Sequence, residues 1–294
     1  MIRIILAMLL MNLTASASLI QADRCVEEAL KSSETSGAVV FISKSERVVQ
    51  SKAYGFAVKY DNNKNLLKNT EIMTKEHVFD LASLTKVFAT TLSIMVLQDR
   101  GVLDVDDKVS KYLPDFKGED KDNATIAHMH RHTSGMKQWI PVYLYAGTKD
   151  DAKEYVMSLP LQFEVGQQRK YSDIGFMILG YLIEETTGMS LSEFADKNIY
   201  KPLSLKRIGF SDKIDNVRFA ATSYGNPLEY HMIEDDDFGY SIDADPDLLR
   251  GWRRYVLKGE VNDGNSFYAH SSIAGHAGLF SDAESVDKLV RLII

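Results

Sequence analysis

The strongest constraint on the fold is a hairpin near the start of the chain, followed by a long stretch of helical pattern. Gly37 to Ile42 (Gly-Ala-Val-Val-Phe-Ile) is rich in β-branched and aromatic residues, and Arg47 to Tyr54 is a second strand-like run. Lys44-Ser45-Glu46 supplies the turn between them. The apolar face of such a hairpin needs a covering layer, and the sequence that follows offers helices. Leu81 to Arg100 carries Leu84, Val87, Phe88, Leu92 and Met95 on one face, with Gly101 as its stop. Thr125 to Arg131, Asp150 to Leu159, Ile174 to Thr187 (ending at Gly188) and Leu191 to Ile199 continue the helical pattern. Asn216 to Gly264 is rich in turns, and Ser281 to Ile294 opens a further amphipathic helix. The order predicts an α/β fold, an antiparallel sheet flanked by helices with a mainly helical insertion.

The chain has 294 residues, enough for one large domain or two modest ones. Hydrophobic residues make up 45% and charged residues 26%, which excludes a disordered, collagenous or multi-span membrane chain. With 34 Lys+Arg against 41 Asp+Glu, the net charge is −7, and no basic stripe exists to neutralise phosphates. No nucleic-acid partner is expected. A single cysteine, Cys25, excludes an intrachain disulfide and any zinc site built on several thiolates.

Residues 1–17 read as an export signal. Arg3 gives a positive start, Ile4 to Met11 is unbroken apolar sequence, and Ala15-Ser16-Ala17 fits a small-x-small cleavage pattern. The apolar run is too short to span a bilayer; a buried N-terminal helix has the same composition. Ala22-Asp23-Arg24 places charges where a lipid-anchor signal at Cys25 would need small apolar residues. The expectation is a mature domain over 18–294, secreted or periplasmic, with no stable membrane span.

The chemistry concentrates in Ser83 and Lys86. Lys86 follows Ser83 by one helical turn on the same face, at the start of the long helix. The hydroxyl and the amine come within hydrogen-bond reach. The helix N-terminus favours negative charge developing on an attacked carbonyl, and a partly buried lysine near that positive end is expected to lose its proton more easily. The same pattern also fits a capping serine beside a solvated lysine. Downstream, Tyr171-Ser172-Asp173 precedes the apolar helix. A tyrosine beside an ammonium can act as a general base, though Tyr171 also fits a half-buried aromatic and Asp173 a helix cap.

Together these segments resemble the class C β-lactamase-type serine hydrolases, a group that includes penicillin-binding D-Ala-D-Ala peptidases and esterases. The resemblance rests on Asp80-Leu81-Ala82-Ser83-Leu84-Thr85-Lys86, Gly101 to Val109 and Tyr112-Leu113-Pro114. His132-Thr133-Ser134-Gly135, Tyr171 to Gly175 and Gly275 to Ser281 follow in the family's order. It implies a β-lactamase/penicillin-binding-protein-like fold, Ser83 as acylated nucleophile, Lys86 as its activating partner and Tyr171 as general base. Asp173 takes a substrate-binding position where asparagine is usual, and Asn262 stands where histidine is common. His276-Ala277-Gly278 has the letters of the family's third motif, which makes His276 and Gly278 candidate substrate-binding residues. In the family that motif lies on a strand beyond the following helix. Since the sequence stops inside that helix, the third motif and the C-terminal strands are expected to be missing. The Ser83 N–H is the expected oxyanion donor.

The expected activity is acyl transfer on an ester, a peptidoglycan peptide or a β-lactam, without cofactor or metal. A slowly acylating penicillin- or peptidoglycan-binding protein and an inactive truncated remnant are the alternatives. Glu234 to Asp237 and Asp243 to Asp247 lack the spacing of a calcium loop. His128, His130 and His132 alternate on a helical pattern and point apart, which argues against zinc. Trp139 and Trp252 suit a core or a pocket wall.

Overall fold

A computed structural model describes residues 19–294 except 46 and 241. The expected export signal lies outside the described residues. Helix α1 (residues 19–31) is tied to the sheet through Asp23, which accepts from Lys52 Nζ at 2.7 Å, from Gln50 Nε2 at 2.6 Å and from the Tyr54 hydroxyl.

The hairpin forms as expected, with β1 (Gly37–Lys44) antiparallel to β2 (Arg47–Tyr60) from Gly37↔Gly55 to Lys44↔Arg47. Beyond Tyr54, β2 continues and pairs with β3 (Leu66–Ile72), giving the order β1-β2-β3. A second sheet is built from three short strands in the order β4-β8-β5: β4 (Phe79–Asp80), β5 (Ile208–Phe210) and β8 (Leu279–Ser281). In the turn-rich region, β6 (Ala221–Tyr224) pairs with β7 (Val256–Lys258). Apart from the seven-residue β3, the strands the structure adds are two to four residues long, too short for a period of two to register.

The long helix differs from expectation in one informative way. It runs as a π-helical stretch, Lys86–Thr91, continuous with α2 (Leu92–Asp99). Widening one turn rotates the face that follows. Phe88, Ala89, Leu92, Ile94 and Leu97 are buried, while Leu84, Val87 and Met95, expected on the core face, are exposed. Two carbonyls of the widened turn are taken by side chains: Thr91 Oγ1 donates to Lys86 O at 2.8 Å and the Tyr200 hydroxyl to Phe88 O at 3.1 Å. Exposed Leu84 borders a groove of about 760 Å³ shared with Val39, Phe41, Val286 and Val290, between the outer edge of β1 and α8 (Ala283–Ile293).

The core is helical. After α3 (Ile126–His130) and α4 (Lys149–Ser158), α5 (Asp173–Thr187) runs through the centre, with every residue from Ile174 to Ile183 buried. Such a helix is apolar all round because it has no solvent face. Gly188 ends it at φ 66°, a left-handed cap that glycine adopts without strain. Next come α6 (Leu191–Ala195), a π-helical turn over Asp196–Tyr200 and α7 (Pro227–Glu234). The acidic runs close local turns, with Asp235 accepting from Asp237 N and Asp245 from Asp247 N, both at 2.9 Å. Among the described residues no group of three or more His, Cys, Asp or Glu could hold a metal, and no helix is long and apolar enough to cross a membrane.

Candidate active site

Ser83 lies where β4 turns into the long helix. Asp80 shapes that turn: its Oδ1 accepts from Ala82 N at 2.8 Å and its Oδ2 from Asn262 N at 2.7 Å. Ala82 is held at φ 46°, a left-handed conformation unfavourable for a residue with a Cβ. This presents Ser83 to solvent at the mouth of a cleft of about 430 Å³. Turn hydrogen bonds run from Leu84 N to Leu81 O, Thr85 N to Ala82 O and Lys86 N to Ser83 O, and the Ser83 N–H has no acceptor among the described residues.

Lys86 is 3% exposed and faces three oxygens. Its Nζ lies 3.0 Å from Ser83 Oγ, 3.1 Å from the His276 carbonyl and 2.6 Å from Asp173 Oδ1. The contact with Asp173 is an ion pair lying outside hydrogen-bonding angles. Asp173 is free to make it because Ser172 caps α5, its Oγ accepting from Gly175 N at 3.0 Å. The capping role that Asp173 would also suit thus falls to its neighbour.

Tyr171 is half exposed, with its ring centroid 4.9 Å from Lys86 Nζ. The ring packs at 4.5 Å and a 36° tilt against His132, whose Nδ1 accepts from Ser172 N at 3.1 Å. Burial first, and the Lys86 charge second, lower the pKa of His132, which keeps it a neutral acceptor. The sequence assigns His132 to a helix-end turn; the fold makes it a buttress for Tyr171.

The structure thus brings Ser83, Lys86, Tyr171 and Asp173 together. It places the third-motif residues differently. The His276 ring is 1% exposed and faces Asp263, so only its carbonyl reaches the lysine. Gly278 adopts φ 119° at the entry to β8, packed against Ser272 O and Ser266 Oγ. Neither residue lines the cleft, whereas Ala277 between them does.

Sequence reasoning gave no role to four residues on or near the cleft wall: Asp80, Glu229, Asn262 and Asp263. Burial pushes the Asp80 carboxyl up against the two N–H groups it accepts from. Glu229 accepts from Gly264 N at 2.5 Å and from the Tyr143 hydroxyl at 3.0 Å, and burial, then the charge of Asp263, push its carboxyl up. Asp263 goes the other way: burial would raise it, but the charge and hydrogen bond of His276 outweigh that and hold it well below the usual carboxylate range. The available signal was the polar run Asn262-Asp263-Gly264-Asn265, whose partners are remote in sequence.

The family model described as Beta-lactamase matches residues 22–293. The chain belongs to that family. An N-acetylmuramyl-L-alanine amidase of Bacillus subtilis is 33% identical over 279 residues, covering 88% of this chain and 59% of the relative. A protein of Salmonella agona named as a D-alanyl-D-alanine carboxypeptidase is 32% identical over 273 residues, covering 87% and 59%. The chain therefore spans about three-fifths of the length of the curated relatives it matches. Among solved structures, an octameric penicillin-binding protein homologue from Pyrococcus abyssi superposes with a TM-score of 0.66 at 21% identity, over 93% of this chain and 56% of that one. This β-lactamase-family member has the expected α/β, penicillin-binding-protein-like fold.

Proposed function

We propose that this β-lactamase-family chain is an exported serine hydrolase that works through a covalent acyl-enzyme. The observation that carries the reading is the 3.0 Å contact between Ser83 Oγ and Lys86 Nζ at the mouth of the cleft, beside the Tyr171 ring. Ser83 Oγ attacks an ester or amide carbonyl and its proton passes to the Tyr171 oxygen. The Lys86 ammonium, balanced by Asp173, stabilises negative charge on that oxygen. The developing oxyanion is met by the Ser83 N–H at the positive end of the helix. The leaving group takes the proton, and water then releases the acyl group by the same steps in reverse.

The names of the relatives direct the substrate class towards cell-wall peptides, with β-lactams and small esters as chemically equivalent acyl donors. A peptidoglycan substrate places the protein in the cell envelope, in keeping with an export signal over residues 1–17. The test is pre-steady-state hydrolysis of 4-nitrophenyl acetate. The reading expects a burst of nitrophenol approaching one equivalent per chain, absent in Ser83→Ala. Hydrolysis equal in the two proteins would overturn it.

A further inference from the structure

We propose that Asp263 and His276 form a positioning pair which fixes the His276 carbonyl against Lys86 and so holds Lys86 towards Ser83. The inference rests on the acyl-transfer reading and adds two residues to its machinery.

Residues 275–279 run along the helix that carries Lys86. Gly275 is pressed onto α5 so closely that a Cβ there would lie 2.0 Å from Phe176 O. Its carbonyl accepts from Thr90 Oγ1 at 2.7 Å, and further along Leu279 N donates to Thr85 Oγ1 at 3.0 Å. Between these two pins, the His276 carbonyl accepts from Lys86 Nζ. A carbonyl in that place fixes one of the three N–H directions of the ammonium and leaves another for Ser83 Oγ, while Asp173 balances the charge.

What orients residue 276 is its side chain. The imidazole Nε2 lies 2.9 Å from Asp263 Oδ1, and Nδ1 is buried without a partner among the described residues. Among the described residues Asp263 is therefore the ring's one polar attachment. Asp263 is itself well held, since Oδ1 also accepts from Ser266 N at 2.7 Å. Its loop is clamped from behind by Arg253, which donates to Val261 O at 2.6 Å and to Asn262 O at 2.7 Å.

Two successive residues of one loop thus brace the two reacting groups. Asn262 N holds Asp80, which sets the Ala82–Ser83 turn; Asp263 holds His276, which sets Lys86. A shift of the loop would move nucleophile and lysine relative to each other, and a misplacement of about 1 Å at a reacting centre can reduce rate by about 100-fold.

The test uses the full chain with Asp263→Ala, His276→Ala, the double variant, His276→Gln and Asp263→Asn. Each is measured for ester hydrolysis and for phosphonylation of Ser83, with folding followed by circular dichroism. The pair predicts kcat lowered about 10- to 100-fold in each alanine variant with KM little changed. It also predicts a double variant no worse than the poorer single one, because both break one link. His276→Gln keeps a donor for Asp263 and should recover about tenfold over His276→Ala. Asp263→Asn keeps an acceptor and the shape, and carries the test should the alanine variants fail to fold. Folded variants that phosphonylate at the wild-type rate, or single effects that multiply in the double variant, would overturn the pair alone. A folded wild-type chain with no adduct at Ser83 would remove the acyl-transfer reading, and the pair with it.

Discussion

Asp173 Oδ1 stands 2.6 Å from Lys86 Nζ, and it does so because Ser172 has taken the capping of α5. A carboxylate here balances a lysine that is 3% exposed and whose Nζ otherwise meets a hydroxyl, a carbonyl and the rings of Tyr171 and Phe176. Asp173→Ala would leave that ammonium without its counter-charge. The expected loss is about 3–5 kcal/mol in urea unfolding, as for other broken buried pairs. Asp173→Asn also removes the counter-charge but keeps an oxygen facing Lys86, and should lose less than Asp173→Ala. Equal stability of Asp173→Ala and the wild type would show that the pair does not contribute.

Lys86→Ala removes the group nearest Ser83 Oγ. Acylation by a 4-nitrophenyl ester, followed by stopped flow, should slow by about 100-fold or more, the range of a lost proton-transfer partner. A change of less than about threefold would exclude Lys86 from the chemistry.

Much of this arrangement was legible in the sequence. The one-turn spacing of Ser83 and Lys86 is local, and helix geometry alone brings them together. The β1–β2 hairpin and α5 were equally clear, because each has a run of apolar residues long enough to show its pattern. The buried face of the long helix was misjudged at Val87 and Met95, since a π-helical turn breaks the 3.6-residue count without any marker residue, and at Leu84, which precedes that turn and borders the groove beside β1 and α8. The second sheet could not be read either. Its strand β8 pairs Phe280 with Asp80 and Gly209, partners about 200 and 70 residues away, through backbone atoms that carry no side-chain signature. His276 was legible as a candidate, but its pairing with Asp263 appears only once that sheet closes.

Acid should destabilise the fold through two histidines. His270 is buried, with Nδ1 at 2.7 Å from Asn265 O and Nε2 at 2.5 Å from the Tyr181 hydroxyl, and burial lowers its pKa to about 4. Burial lowers His130 to about 4 as well. Both ionise more readily in the unfolded chain, so their contribution is complete above pH 6.5 and is lost as pH falls through 4. The full effect is on the order of 3 kcal/mol for each group at most. Urea midpoints measured between pH 7 and pH 4 should fall, and His130→Phe should flatten the decline. Because the raised carboxyls of Glu229 and Asp80 act in the opposite sense, the comparison with the variant decides: equal pH slopes for the wild type and His130→Phe would contradict the assignment of His130 as buried and neutral.

Gly275→Ala tests the close passage of residues 275–279 across α5. The new methyl would meet Phe176 O, a backbone atom inside a packed helix that has little room to move. Destabilisation of about 1–3 kcal/mol is expected from thermal or urea unfolding. Slower acylation should accompany it, because the His276 carbonyl is the next residue along. Unchanged stability and rate would place the segment further from α5 than its geometry requires.

The central claim is that Ser83 is the acylated nucleophile, and intact-mass spectrometry tests it most directly. The purified chain, shown by circular dichroism to be folded, is incubated with a fluorophosphonate and, separately, with a fluorescent penicillin. The account predicts a single fluorophosphonate adduct on the wild-type chain and none on Ser83→Ala, with peptide mapping placing it on residue 83. An adduct that persists in Ser83→Ala, or a folded wild-type chain that takes up neither probe, would contradict it.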